Sequence, residues 1–243
     1  MIDQMKEILE NGCREMGLEL SERQAGQFLK YFELLTERNK VMNLTAITEP
    51  EEVARKHFLD SLLLFQAIPG VLEGEKSCID VGTGAGFPGI PLKIMFPKLK
   101  MTLLDSLNKR VKFLEEVSSE LGLTGITAVH GRAEDFGHDS AYREQFDFCV
   151  SRAVANFATL SEYCIPFVKV GGMFVSYKSG TIEEELKQGR NAVKRLGGEL
   201  EPVIFCTIPG TDVERAFVPV KKIAGTGKKY PRKAGMPGKE PLK

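Results

Sequence analysis

The stretch from residue 77 to residue 89, SCIDVGTGAGFPG, constrains the fold of this chain more than any other. A short apolar run reaches Asp80 and then breaks into closely spaced glycines. Glycine has no Cβ and readily adopts positive φ angles, so Gly82 and Gly84 let the backbone turn sharply and approach a ligand. The pattern predicts a β-strand that ends in a nucleotide-binding loop.

The register of the glycines favours S-adenosylmethionine over NAD. The loop reads Asp-x-Gly-x-Gly-x-Gly from Asp80 to Gly86, although Gly84 to Gly89 also fits the dinucleotide pattern Gly-x-Gly-x-x-Gly. In a dinucleotide site the helix N-terminus faces a pyrophosphate, and an aspartate two residues before the first glycine would add negative charge there. In a methyl-donor site the same carboxylate can face the cationic methionine end of the ligand. We therefore predict S-adenosylmethionine as the cofactor, with Asp80, Gly82 and Gly84 at its site.

Strands and helices are predicted to alternate after this loop, which is typical of a parallel sheet covered on both faces. The predicted strands are 77–81, 101–104, 126–129, 146–151 and 173–178, and the predicted helices are 89–96, 109–121, 157–168 and 181–196. Two last strands, 201–208 and 216–222, have no helix between them and predict an antiparallel hairpin. The predicted fold class is α/β, with the Rossmann-like sheet of class I S-adenosylmethionine-dependent methyltransferases.

The chain before the glycine loop is predicted to be helical. Apolar residues recur at helical spacing over 3–17 and 22–37, and Ser21 with Gln24 forms a capping box. A third helix is predicted to begin at Thr48-Glu-Pro50, with Thr48 as its cap. We expect an N-terminal helical cap over 1–75, a methyltransferase core over 76–223 and a basic arm over 224–243.

The formal charge is zero, with 33 Lys and Arg against 33 Asp and Glu, but it is unevenly distributed. Residues 221–243 contain eight basic residues against Glu240, a local charge of +7, which leaves −7 for the remainder. A basic segment on an acidic body predicts a polyanionic partner. The alternative is a solvated terminus, and the glycines and prolines after Ile223 predict a loosely ordered arm in either case.

Composition excludes several other classes of protein. No window approaches the roughly 20 apolar residues of a membrane span, and the first residues do not form a signal peptide. Five scattered cysteines and three histidines lack the spacing of a disulfide framework or a zinc site. We expect a cytoplasmic enzyme without a metal.

Ligands of open α/β sheets bind at the carboxyl ends of the strands. Asp105 ends the second strand, where its carboxylate can accept both ribose hydroxyls, or alternatively cap the next helix. Ala133 and Glu134 follow the third strand and are predicted to hold the adenine edge, the alternative being a plain surface loop.

Three further residues are candidates around the methionine arm of the cofactor and the expected substrate. Arg152 ends the fourth strand, between the cofactor and the expected substrate, unless it forms a structural salt bridge. Phe87 lies in the glycine loop and is predicted to pack on the methionine arm of the cofactor or in the core. His57 in the third helix is either a substrate contact or a packed helix residue.

Several motifs together carry a resemblance to a known family. They are DVGTGAGFPGIP over 80–91, LLDSLNKR over 103–110, SRA over 151–153, NLTA over 43–46, HFLDS over 57–61 and KYPRKAG over 229–235. The chain resembles the glucose-inhibited division protein B family, the bacterial small-subunit ribosomal RNA guanine-N7 methyltransferases. By matching position, the resemblance implies cofactor contacts at Gly82, Phe87, Ala133, Glu134 and Arg152. It also implies methyl transfer from S-adenosylmethionine to N7 of a guanine in 16S ribosomal RNA, on naked RNA or on the small ribosomal subunit.

This chemistry agrees with the absence of an obvious acid–base pair. Guanine N7 is unprotonated at neutral pH, so alignment with the methyl group is sufficient for transfer. We expect Asn43, His57 and Arg152 on the substrate side, and a monomeric enzyme. Three alternatives remain: an NAD-dependent oxidoreductase, a small-molecule methyltransferase, and an RNA-binding module without catalytic activity.

Overall fold

The central sheet of the computed structural model, which describes residues 2–152, 155–180 and 182–242, confirms the predicted fold class. Its strands are β1 (Ser77–Val81), β2 (Lys100–Asp105), β3 (Ile126–His130), β4 (Phe146–Arg152), β5 (Val168–Lys178), β6 (Gly198–Leu200), β7 (Ile204–Thr207) and β8 (Glu214–Lys222). The strand order is β3-β2-β1-β4-β5-β8-β6, and β7 also pairs with β8. Neighbouring strands from β3 to β5 are parallel, whereas β8 is antiparallel to its neighbours. The carboxyl ends of the parallel strands therefore meet at one edge.

The helices agree with most of the predicted segments. They are α1 (Ile2–Glu15), α2 (Glu22–Met42), α3 (Pro50–Val53), α4 (Asp60–Leu62), α5 (Leu64–Ala67), α6 (Gly89–Met95), α7 (Asn108–Glu120), α8 (Ala133–Phe136), α9 (Phe157–Cys164), α10 (Glu183–Arg195) and α11 (Met236–Lys239). The predicted start of α10 at Thr181 lies outside the described residues. Within the described ranges, none of these helices combines the length and the hydropathy needed to cross a bilayer.

The third helix of the cap differs from its prediction. It begins after Glu49, whose side chain forms no capping bond, so Thr48 is not the cap. A π-helical turn over Ala54–Leu59 joins α3 to α4. The capping box of α2 is confirmed, because Ser21 Oγ accepts from Gln24 N–H over 3.3 Å and Gln24 Oε1 accepts from Ser21 N–H over 3.0 Å.

The predicted last hairpin is also modified. The first of its strands, predicted over 201–208, is the shorter β7, and an unpredicted strand, β6, precedes it. The two strands pair one after the other along the outer edge of β8. Pro202 lies in the gap between them, and proline has no N–H with which to continue a ladder.

Two clusters of buried side chains cover the two faces of the sheet. Alternate residues of a strand point to opposite faces, so Cys78 belongs to one cluster and Ile79 to the other. The first cluster joins the N-terminal helices, through residues such as Phe28 and Phe58, to α6 and α7. The second is formed with α9 and α10. The helical cap therefore packs as one layer of the core on the first face.

The expectation of a loosely ordered C-terminal arm is wrong. Tyr230 and Leu242 are buried in the second cluster. Arg232 donates to the fully buried carboxylate of Glu162, and the N–H of Thr226 donates to Glu144 over 2.7 Å. Burial of these groups holds the arm against the sheet, which composition alone does not reveal.

Candidate active site

The glycine loop follows β1 at the carboxyl edge of the sheet, and Asp80 holds it in place. Asp80 is fully buried, and its Oδ2 accepts from Thr83 Oγ1 over 2.7 Å and from Gly89 N–H over 2.8 Å. Its Oδ1 is buried with no partner among the described residues. Burial raises the pKa of this carboxyl to about 6, against the lowering effect of the bonds from Thr83 and Gly89. One oxygen of Asp80 thus fixes the loop, while the other is buried with unused capacity to accept a hydrogen bond.

The glycines of the loop have different functions. A Cβ on Gly86 would lie 2.5 Å from Ile90, and one on Gly89 would lie 2.3 Å from Leu103, so packing requires glycine at both positions. Gly84 has φ +64, and a Cβ there would meet nothing within 4 Å. Gly84 therefore borders open space, as a loop that approaches a ligand must.

A first cavity of about 320 Å³ adjoins this loop. It brings together Gly82, Ala133 and Glu134, three of the residues predicted for the cofactor. Tyr163 and Gly235 also line it, and the sequence reasoning missed both because neither belongs to the strand–loop pattern.

Ala133 and Glu134 begin helix α8, so the alternative of a plain surface loop is wrong. The side chain of Glu134 is nearly buried, and its Oε1 accepts from the N–H of Gly235 over 2.8 Å. The small Ala133 leaves room beside it at the cavity wall.

Asp105 is buried at the end of β2 and contacts the loop directly. Its Oδ2 accepts from Gly84 N–H and its Oδ1 from Leu107 N–H, each over 2.9 Å. It does not cap α7, whose N-cap is Leu107. Because each carboxylate oxygen can accept more than one hydrogen bond, these contacts orient Asp105 and leave acceptor capacity for a ribose.

The glycine loop and the first cavity beside it fit S-adenosylmethionine. A buried carboxylate with one unpartnered oxygen suits the cationic methionine end, and the open space at Gly84 admits a ligand to the main chain. The cavity at Gly82 and Ala133 can receive the adenosine.

A second cavity of about 480 Å³ lies beside the ends of β4 and β5 and is lined by several cations. The cations are Lys56, Arg152, Lys178 and Arg215. The same cavity is also lined by His57, Asp60 and Glu185. Lys56, Lys178 and Arg215 were not predicted, because single basic residues far apart in sequence give no pattern.

Asp60 holds two of these cations. It is 1% exposed, and it accepts from Arg152 Nη1 over 2.6 Å and from Arg215 Nε over 2.7 Å. The salt-bridge alternative for Arg152 is thus realised, yet Arg152 also lines the second cavity. The ion pair fixes the guanidinium where a substrate would meet it.

Phe87 connects the glycine loop to the second cavity. Its ring lies 5.1 Å from Arg152 Cζ and stacks on His57 with ring centres 4.5 Å apart. Its side chain is buried in the first core cluster, beside Tyr31 and Phe58. Phe87 is therefore a core residue that also supports the two predicted substrate-side groups.

His57 is neutral in this environment. Burial lowers its pKa to about 3, and the positive charges of Arg152 and Arg215 add to the effect. Nδ1 lies 3.4 Å from Arg152 Nη2, which can only donate, so Nδ1 accepts and the proton resides on Nε2. Nε2 then donates to Thr45 Oγ1 over 2.8 Å.

Asn43 has a structural explanation of its own. It is an exposed residue that ends α2 in the left-handed conformation, with φ 49° and ψ 54°. It is not among the residues that line the second cavity. The neighbouring Asn39, which was not predicted, binds the backbone N–H and C=O of Thr45 over 2.9 Å each and so positions the partner of His57.

Comparison with known proteins matches residues 24–233 to a family model described as rRNA small subunit methyltransferase G. A relative from Alkaliphilus metalliredigens, named Ribosomal RNA small subunit methyltransferase G, is 53% identical over 238 residues, which cover 98% of this chain and 99% of the relative. A SAM dependent methyltransferase from Aquifex aeolicus has a similar structure, with a TM-score of 0.54 at 17% identity over 73% of this chain and 96% of that one. Fibrillarin from Aeropyrum pernix, solved with natively bound S-adenosyl-L-methionine, gives a TM-score of 0.52 at 14% identity over 67% of this chain and 73% of that one.

Proposed function

This chain belongs to the rRNA small subunit methyltransferase G family. We propose that it transfers a methyl group from S-adenosylmethionine to N7 of a guanine in 16S ribosomal RNA, and that one of its two cavities binds the cofactor and the other the base. The observation that carries the proposal is the position of Phe87, in the cofactor loop and in contact with Arg152 and His57 of the second cavity. The first cavity holds the cofactor and the second receives the base.

On the cofactor side, Asp80 and Asp105 fix the loop and supply carboxylates to the ligand. Asp80 Oδ1 faces the methionine ammonium, while Asp105 accepts from the ribose hydroxyls. Gly82, Gly84, Ala133 and Glu134 surround the adenosine. When bound, S-adenosylmethionine supplies an electrophilic methyl group on a sulfonium centre.

On the substrate side, the chain aligns the base without taking a proton from it. Guanine N7 already carries a free lone pair, so transfer depends on placing N7 in line with the methyl group. His57 is neutral and its Nδ1 lone pair already accepts from Arg152, which leaves it no part as a general base. Arg152, held by Asp60, and the stacked pair of His57 and Phe87 position the purine. We propose that Asn43 contacts the RNA on the same side, outside the second cavity.

The RNA is held by basic side chains on two surfaces. Lys56, Lys178 and Arg215 line the second cavity, where the phosphates beside a splayed-out guanine would lie. Four lysines of the arm are exposed and available to more distant phosphates: Lys228, Lys229, Lys233 and Lys239.

The remaining features of the proposal concern organisation. The helical layer of residues 1–75 forms the substrate side, residues 76–223 the cofactor-binding core, and residues 224–243 an RNA-contacting arm. The enzyme acts as a monomer in the cytoplasm, on 16S ribosomal RNA or the small subunit, and without a metal.

Methylation of 16S ribosomal RNA in vitro tests the function. Purified protein with labelled S-adenosylmethionine should label RNA taken from a strain that lacks the gene, either naked or in the small subunit. Methylation at N7 makes the base cationic, so the RNA should cleave at the labelled guanine after borohydride and aniline treatment. Ala133→Phe, which fills the first cavity, should abolish labelling while the protein remains folded. Labelled RNA that resists cleavage would mean that the methyl group is on an atom other than N7.

A further inference from the structure

One wall of the first cavity comes from the C-terminal arm. Gly235 lines this cavity together with Gly82 and Ala133, although 153 positions separate it from Gly82. Its backbone N–H donates to Glu134 Oε1 over 2.8 Å, and its φ of +82° is a conformation suited to glycine. The position of Glu134 in the cavity therefore depends on the arm.

A buried ion pair docks the arm three residues before Gly235. Glu162 of α9 is 0% exposed, and it accepts from the N–H and the guanidinium of Arg232. A carboxylate that is buried without its partner is strongly destabilising, so the docked position is favoured.

Two more contacts fix the arm on either side of this pair. Thr159 Oγ1, also on α9, donates to Pro237 O over 2.9 Å. Arg143 donates through Nη1 to Tyr230 O over 2.8 Å and to Gly137 O over 2.7 Å, which ties the arm to the loop after α8. The segment from Tyr230 to Pro237 is thus held against α8 and α9, the two helices that contribute Glu134 and Tyr163 to the cavity.

We propose that the C-terminal arm is part of the cofactor site, with Arg232 as a positioning residue that sets Gly235 against Glu134, so that arm docking and cofactor binding are coupled. This inference rests on the proposed assignment of the first cavity to the cofactor. Coupling is reciprocal: a ligand in the cavity stabilises the docked arm, and release of the arm lowers the affinity for the ligand by the same factor.

Two substitutions test the coupling. Arg232→Gln removes the charge that pairs with Glu162, and we expect the Kd for S-adenosylhomocysteine to rise on the order of tenfold, within the range usual for coupled sites. Gly235→Ala strains the turn at the cavity wall, where a Cβ would meet nothing within 4 Å, and should weaken binding in the same direction.

Each substitution has a matched control. Arg38→Gln also breaks an Arg–Glu pair with two hydrogen bonds, to Glu116, but at an exposed site away from the cavity. Gly17→Ala introduces the same strain at φ +76°, again with nothing within 4 Å of the Cβ, in the turn after α1. Both controls should bind S-adenosylhomocysteine with wild-type affinity in calorimetric titration.

Two further readouts separate positioning from general damage. In steady-state methyl transfer, the KM for S-adenosylmethionine should rise in both arm variants while kcat at saturating cofactor keeps its wild-type value. In the wild-type protein, S-adenosylhomocysteine should slow amide hydrogen exchange around Gly235. Unchanged exchange there would overturn the coupling.

Wild-type affinity for S-adenosylhomocysteine in both arm variants would also overturn the coupling. If Arg232→Gln does not fold, the affinity of Gly235→Ala alone is the test. Ala133→Phe keeps the two proposals apart. Unaltered affinity in that variant would overturn the assignment of the cavity itself, whereas loss of affinity there with normal binding in the arm variants would overturn only the function of the arm.

Discussion

The imidazole of His57 stacks on the ring of Phe87, with ring centres 4.5 Å apart and planes 18° apart, while its Nδ1 accepts from Arg152. Burial lowers the pKa of His57 to about 3, so the ring is neutral throughout the physiological range. Methyl transfer to ribosomal RNA at saturating cofactor under single-turnover conditions should therefore change little between about pH 6.5 and 8.5, because the histidine beside the proposed site does not titrate in this window. A rate that rises tenfold per pH unit would require a deprotonated nucleophile and would contradict attack by N7.

The same shift predicts how the stability of the protein depends on pH. An unfolded histidine titrates near pH 6.5, whereas folded His57 stays neutral down to about pH 3, so the unfolded state binds the extra proton between these values. His57 thus lowers the free energy of unfolding as the pH falls from about 6.5 towards 3. In His57→Gln, chemical denaturation should show a smaller loss of stability across this window. An equal loss in both proteins would mean that His57 titrates normally.

The raised pKa of Asp80 predicts that the affinity for the cofactor depends on pH. Its pKa is raised to about 6 by burial, and the cationic ligand binds the ionised carboxylate better than the neutral acid. Affinity for S-adenosylmethionine should be constant above pH 7 and fall as the pH decreases through about 6. Asp80→Asn keeps an oxygen for Thr83 and Gly89, and should bind weakly with little pH dependence in calorimetric titration. A wild-type protein with no such fall would show that Asp80 does not face the ligand.

Replacing Asp105 separates its two contacts. Asp105→Ala removes the acceptor for Gly84 and the proposed ribose acceptor, and should weaken cofactor binding by about 2–3 kcal/mol. Asp105→Asn keeps one acceptor oxygen and should lose less. Calorimetric titration of both, with thermal unfolding to verify the fold, is the measurement. Wild-type affinity in Asp105→Ala would exclude the ribose contact.

Asp60 is expected to act through the arginines that it holds. Asp60→Asn keeps a hydrogen-bond acceptor but leaves Arg152 and Arg215 without a negative partner, and misplacement by about 1 Å can cost on the order of 100-fold in rate. Single-turnover transfer at saturating cofactor should therefore fall by about 10- to 100-fold, with cofactor affinity unchanged. Glu116→Gln, which removes the partner of Arg38 on the surface, is the control and should transfer normally. A similar loss in both variants would attribute the effect to general destabilisation.

The exposed lysines of the arm predict the salt dependence of RNA binding. Lys228, Lys229, Lys233 and Lys239 should be replaced together by Gln, because deletion of the arm would also remove Arg232 from the buried Glu162. For every lysine that pairs with a phosphate in the wild-type complex, the substitution should reduce the slope of log affinity against log salt by about 0.7–0.9. Filter binding at several salt concentrations gives the slope. An unchanged slope would mean that these lysines do not contact phosphates.

Local patterns in the sequence predicted the sheet and most of the loop. The glycines, the strand–helix alternation and the box at Ser21 and Gln24 are short-range signals with direct physical causes, and each is reproduced. The short strand β6 was missed, and the last hairpin was predicted to start at 201 rather than at 204, although Pro202 marks the break. A proline in a predicted edge strand does not specify whether the strand ends or resumes.

The parts of the site that were missed depend on long-range contacts. Arg215 reaches Asp60 across 155 positions, and Gly235 reaches Glu134 across 101. Neither pair has a motif, since each residue is ordinary in its own neighbourhood. The glycines and prolines of the arm likewise indicated a loosely ordered segment, and only the buried Glu162 on another helix explains why Arg232 is docked.

The break between β6 and β7 also affects how the folded molecule behaves at high concentration. An open sheet edge offers a row of unpaired N–H and C=O groups to which a strand of another chain can add, which is a common route to aggregation. Here the edge strand is short on both sides of Pro202, and the proline supplies no donor to an incoming strand. A substitution such as Pro202→Val would restore an N–H donor at this edge, and so favour self-association without altering either cavity.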